Sequence, residues 1–398
     1  MSSGQKRLPG ACMLLLSALG FLFSSATVLL VFNTSRADGL TPAEQLALHS
    51  FALLAAFLAL LHLPALYHAI RLLRGREARV RFASLFRFAS LSLIAWAAVL
   101  FLGNWVAHMQ VNSLLLAPLT ILAIALPAWW LVEFARRGLP RPASEREWAT
   151  VSISITLVPL FILTLEIMLV VAAVITLVVA LGWQPEALRQ LWQVSLGWQS
   201  VSSDRQDLER IMNVLAHNPA IAAALFGVVG VLAPFVEELF KPLAVWLASA
   251  RPVQPRDGFM LGMISGAAFT FLESVSQVSQ ITALDWLPAV LLRCATGWLH
   301  IGLSGLVGYG IAQARADKHW GIALVCLLGA TALHGAWNSL ALLNGFSASG
   351  FNLPGSAPVA SAGDVLTVVL LVIVFILIGL ITLTIRRRLI LMDITDKA

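Results

Sequence analysis

Apolar residues in this chain run in long unbroken blocks separated by short charged segments. The blocks lie near residues 11–32, 49–70, 88–107, 113–135, 151–182, 220–248, 258–280, 287–313, 321–344 and 364–385. A helix of about 20 apolar residues matches the hydrocarbon thickness of a bilayer. The blocks are rich in Leu and Ala and lack the two-residue alternation of a membrane β-barrel strand. The pattern predicts an all-α, polytopic membrane helix bundle with about ten transmembrane helices. The fifth block is long enough that it must tilt, kink or project from the bilayer.

The charges between the blocks set an orientation. With the N-terminus in the cytoplasm, 20 of the 26 Lys and Arg fall on the cytoplasmic side, four outside and two, Lys241 and Arg293, within spans. That asymmetry predicts an N-in, C-in arrangement. Composition agrees with a membrane protein: 59% hydrophobic and 12% charged residues leave too little polar surface for a soluble domain of 398 residues. The net charge of +6 then reflects topology and contact with the lipid bilayer, and nucleic acid is not an expected partner. The first block is too long for a cleaved signal peptide and is expected to stay as an anchor. Cys12, Cys294 and Cys326 have neither disulfide nor zinc spacing.

Four segments follow. Residues 1–182 form an N-terminal five-span membrane domain of unknown role. Residues 183–219 form an external loop in which Trp192, Trp198 and the run from Leu208 to Leu215 suggest amphipathic interfacial helices. Residues 220–345 form a core of four spans with polar centres, and 346–398 supply the last span and a basic cytoplasmic tail.

The polar centres carry the chemistry. Span six contains Pro234, Glu237, Glu238 and Lys241. Two adjacent carboxylates in an apolar setting cannot both ionise cheaply, since each charge costs about 2.5–3.5 kcal/mol at a helix centre. Lys241, three and four residues on, can offset one. A purely structural ion pair needs only one carboxylate, so the second points to general acid–base work. Span seven places Gly258, Gly262 and Gly266 on one face for close packing, followed by Phe269 and Glu273. Span eight contributes Arg293 and His300, and span nine contributes His334 and Asn338, four residues apart on one helical face. Glu237, Glu238, Glu273, His300, His334 and Asn338 all lie within about 7 Å, along the helix axis, of their span midpoints. A shared depth predicts one buried polar site.

Midplane carboxylates and histidines are also how proton-coupled transporters and channels are built. Against transport stand the lack of an internal repeat and of an evident broken-helix pattern. A non-catalytic membrane scaffold is a third reading. No other catalytic or phosphate-binding motif is present.

At these residues the chain resembles the PrsW family of intramembrane proteases. The marks are Pro234 with Glu237-Glu238-x-x-Lys241, Asp257-Gly258, Phe269-x-x-x-Glu273, His300 with its following glycines, and His334-x-x-Trp337-Asn338, over roughly 225–345. The resemblance makes 220–345 the catalytic membrane core. It implies a hydrolase cutting a peptide bond of a membrane-anchored protein, such as an anti-sigma factor, in a bacterial plasma membrane. In the related CAAX prenyl endopeptidases a glutamate activates water, and a final His-x-x-x-Asn is implicated in stabilising the oxyanion; His334 and Asn338 have that spacing. The implied catalytic set is Glu237, Glu238, Glu273, His300, His334 and Asn338, supported by Lys241, Phe269 and Arg293. Relatives are described both as glutamic and as metal-dependent proteases. The metal-free form is the first expectation here. In a metal-dependent form a divalent ion such as zinc would be held by Glu273, His300 and His334. Spans one to five lie outside the resemblance.

Overall fold

The structure is a computed structural model and describes residues 3–36, 39–75, 86–109, 113–140, 142, 144–180, 219–247, 253–278, 286–348 and 360–395. The predicted external loop, 183–219, falls almost wholly outside these residues. Every regular element among the described residues is helical: α1 (Ser3–Thr34), α2 (Pro42–Leu73), α3 (Phe86–His108), α4 (Ser113–Arg136), α5 (Ser144–Ala180), α6 (Pro219–Gly227), a π turn (Val228–Leu232), α7 (Ala233–Phe240), α8 (Leu243–Leu247), α9 (Pro255–Val278), α10 (Trp286–Asp317), α11 (Gly321–Ala348) and α12 (Ala360–Thr395). Among the described residues, ten stretches are long and apolar enough to cross a membrane, in the places the apolar blocks predict.

The chain divides into two compact units, both discontinuous in sequence. The first comprises Met1–Leu160, Leu239–Leu327 and Leu380–Ala398; the second comprises Phe161–Glu238 and Leu328–Gly379.

In the first unit the buried centre is the α9–α10 pair. Gly258, Gly262 and Gly266 face the α10 backbone so closely that a Cβ at Gly262 would collide with Ser304 O, and one at Gly266 with His300 O. Small residues let the two backbones meet, which in lipid replaces the hydrophobic effect as the source of helix affinity. An apolar cluster holds α2, α3 and α4 against this pair through Leu54, Val99, Ile124, Phe271, Val275 and Trp286. The Trp286 indole donates to Thr120 Oγ1 at 2.9 Å, which satisfies its polar edge inside that cluster. Ser17 meets Ser152 at 2.9 Å, and Ser154 meets Ser265 at 2.7 Å, so hydroxyl pairs join α1 to α5 and α5 to α9. At the charged ends, Arg146 pairs with Asp257 at 3.4 Å, Arg256 with Asp393, and Arg386 donates to Arg137 O.

Span six departs from the expected continuous helix over 220–248. It bulges at the π turn and breaks at Lys241-Pro242. Pro242 explains the break, because it has no N–H to donate and its ring clashes with the carbonyl four residues back. After the break, Val245 N and Trp246 N both donate to Pro242 O. The stranded carbonyls are taken up by side chains: Leu239 O by Trp246 Nε1 at 3.0 Å, and Lys241 O by Ser265 Oγ. Arg315 donates to Val245 O and Trp246 O at the end of α8. A broken helix persists at membrane depth only with such internal satisfaction.

Candidate active site

Two polar groups form, one in each unit. In the first unit Lys241 is fully buried just past the end of α7. Its ammonium donates to His300 Nδ1 at 2.6 Å and lies 4.7 Å from the centre of the Phe269 ring. Phe269 also meets His300 edge-on at 5.5 Å. An ammonium can only donate, so Nδ1 accepts and Nε2 carries the ring proton. Nε2 then donates to Glu273 Oε2 at 2.9 Å. Arg293 Nη2 reaches the same oxygen at 2.7 Å, and Gln277 Nε2 donates to Oε1 at 2.9 Å. Arg293 is steadied in turn by Ser274. Both ring nitrogens of His300 are therefore occupied within a polar chain of Lys241, His300, Glu273 and Arg293.

In the second unit α7 carries Glu237 and Glu238, and α11 carries His334 and Asn338. His334 Nδ1 lies 2.9 Å from Glu238 Oε1, and its Nε2 lies 3.9 Å from Glu237 Oε2. A carboxylate only accepts, so the shorter contact places the proton on Nδ1 and leaves the Nε2 lone pair facing Glu237. The two glutamates are unequal. Glu238 is wholly buried, while the Glu237 side chain keeps 8% of its surface. Adjacent residues on a helix point about 100° apart, which is why they reach different edges of one imidazole.

Asn338 Nδ2 donates to Val229 O at 3.2 Å in the π turn. That carbonyl has lost its helical donors. Ala233 N–H goes to Val228 O instead, and the next residue, Pro234, has no N–H. Gly230 and Gly335 touch backbone to backbone beside it; a Cβ on Gly335 would collide with Gly230 O.

The sequence matches the family described as PrsW family intramembrane metalloprotease over residues 161–379, more than half of the chain. The chain belongs to the PrsW family. Comparison with curated proteins and with solved structures finds no match.

PrsW membership makes the chain a multi-pass membrane protease, and the matched stretch includes every residue of both polar groups. It leaves out α1 to α4, the first half of α5 and the end of α12 after residue 379. The structure brings Glu237, Glu238 and His334 together in one unit, and Lys241, Phe269, Glu273, Arg293 and His300 together in the other. Sequence reasoning missed Gln277 on Glu273, Ser265 on the Lys241 carbonyl, and the π turn before the PrsW glutamates. Pro234 inside an apolar helix, four residues after Gly230, was the available signal for the last of these.

Proposed function

We propose that this protein hydrolyses a peptide bond of a membrane-anchored protein, with Glu237 taking a proton from the attacking water and Glu238 acting through His334. One observation carries the reading: His334 is held by Glu238 at Nδ1 while its Nε2 faces Glu237 across 3.9 Å. That gap is too long for a good direct hydrogen bond and short enough for both atoms to face a single oxygen. Glu237, the more accessible carboxylate, takes the water proton and passes it to the leaving amine. Glu238 fixes the tautomer and plane of His334.

Glu237 and His334 supply two of the three protein donors that a catalytic divalent metal takes. A carboxylate and an imidazole present themselves together, and the far nitrogen of that imidazole is bound to a second carboxylate, as in most metal-ligating histidines. Glu237 and His334 are the residues of this unit that would hold such an ion. The family's description as a metalloprotease supports a metal, and the choice of these two residues as ligands is our own. When bound, a metal there polarises the scissile carbonyl and acidifies its water. We extend the reading to a substrate such as an anti-sigma factor and to a bacterial plasma membrane with the N-terminus inside.

The test is cleavage of a single-pass substrate by purified protein in liposomes, with and without chelator. Glu237→Gln should fold and lose at least about two orders of magnitude in rate, the scale of a positioned base. Metal content is measured in parallel in Glu237→Ala, His334→Ala and His300→Ala, and the first two should lose bound metal. A folded Glu237→Gln variant that cuts at wild-type rate refutes the mechanism. Proton-coupled transport is the second reading, favoured by the break at Lys241-Pro242, a feature of carrier helices. It requires proton flux in liposomes and no cleavage.

A further inference from the structure

We infer that Asn338 is a positioning residue that locks the π turn and so aims Glu237 and Glu238 at His334. The inference rests on the hydrolytic reading above only for its consequence in rate; the lock itself is a matter of backbone chemistry.

A π turn adds one residue to a helical turn, so everything after it is rotated by about one residue, or 100°, relative to an unbroken helix. Glu237 begins five residues after the turn ends. Without the extra residue the pair would swing away from His334, and the contacts at 2.9 and 3.9 Å would be lost. The turn leaves Val229 O without a helical N–H, for the two reasons given: Ala233 N–H is spent on Val228 O, and Pro234 has none. An unpaired carbonyl in a membrane interior is costly, so an unlocked turn would migrate or close. Asn338 supplies the missing donor at 3.2 Å from the helix that also carries His334. Gly335, on the same helix, lets the bulged backbone come close enough for that bond. One face of α11 thus holds both the imidazole and the device that orients its carboxylates.

The alternative role for Asn338 is direct donation to the oxyanion of the substrate. The two roles separate through Pro234. In Pro234→Ala the new N–H stands five residues after Val229, the π spacing, and can donate to the carbonyl that Asn338 serves. Asn338→Ala, and Asn338→Asp, which keeps the shape and removes the N–H, should raise hydrogen exchange across 228–236 and lower kcat about tenfold at unchanged KM, the worth of one hydrogen bond. Adding Pro234→Ala to either should restore protection and recover most of kcat. An oxyanion donor gives the opposite pattern: kcat falls, exchange is unchanged, and Pro234→Ala recovers nothing. Either unchanged exchange or unrestored kcat in the double variants overturns the lock. Exchange needs no substrate. If the wild type cleaves nothing, the hydrolytic reading fails while exchange alone still decides the lock.

Discussion

Glu273→Gln tests how the buried charge chain is held, independently of any reaction. Glu273 Oε2 receives Arg293 at 2.7 Å and His300 at 2.9 Å. The His300 bond, a hydrogen bond to a charged group, is worth about 1.5–3 kcal/mol, and the Arg293 contact adds an ion pair to it. The Glu273 side chain is 25% exposed, and solvent there reduces the figure. We expect a loss of about 2–3 kcal/mol, because Arg293 and Lys241 remain charged beside a neutral amide. Glu273→Gln with Arg293→Gln removes one charge of each sign and should lose only about 1 kcal/mol relative to wild type. The assay is equilibrium unfolding in mixed detergent and lipid, followed by helicity, over the full double-mutant cycle. The pair should couple by more than about 1 kcal/mol. Effects that add within about 0.5 kcal/mol would refute the claim that these helices are tied by compensated charge.

Gly262→Leu or Gly266→Leu should destabilise the α9–α10 contact by more than the ~1–3 kcal/mol of ordinary overpacking, since the colliding atoms are backbone; wild-type unfolding of both variants would dismiss the close approach. Cysteine labelling should find 71–87 and 136–148 on the cytoplasmic side and 183–219 outside, and labelling of 183–219 from the cytoplasm would reverse the orientation. Arg146→Ala should change stability by under about 1 kcal/mol, because its partner contact with Asp257 is long and solvent-accessible; a larger loss would show that this pair is a main tie of α5 to α9. Full activity after exhaustive chelation is expected if Glu237 acts as a metal-free base; loss of cleavage with the helices intact, reversed by added zinc, would assign a metal to the site instead.

The ten spans were legible because bilayer thickness imposes a minimum length on every crossing helix, and each apolar block reaches it. The family was legible because its marks are single residues at fixed spacing, such as Glu237-Glu238 and His334-x-x-x-Asn338. Partners across helices were not. Nothing in the spacing of Lys241 and His300, 59 residues apart, states that they meet at 2.6 Å, or that Gln277 completes the surroundings of Glu273. The bulge and break of span six were hidden because hydropathy ignores backbone hydrogen bonding. Leu, Val and Ala read as continuous span whether or not a proline interrupts the ladder.

The pairing of Glu273 with Arg293 also bears on how the chain enters the membrane. The two helices that carry these charges are consecutive, and they are among the least apolar of the ten spans. A nascent helix that met lipid alone with either charge would face a penalty of up to about 2.5–3.5 kcal/mol. A hairpin that closes first presents a neutral pair and a seam of glycines turned inward. Insertion of α9 and α10 is thus a single event, with the second helix holding back release of the first. Ribosome-stalled intermediates that expose only α9 should remain extractable by alkali, and those long enough to include Arg293 should not.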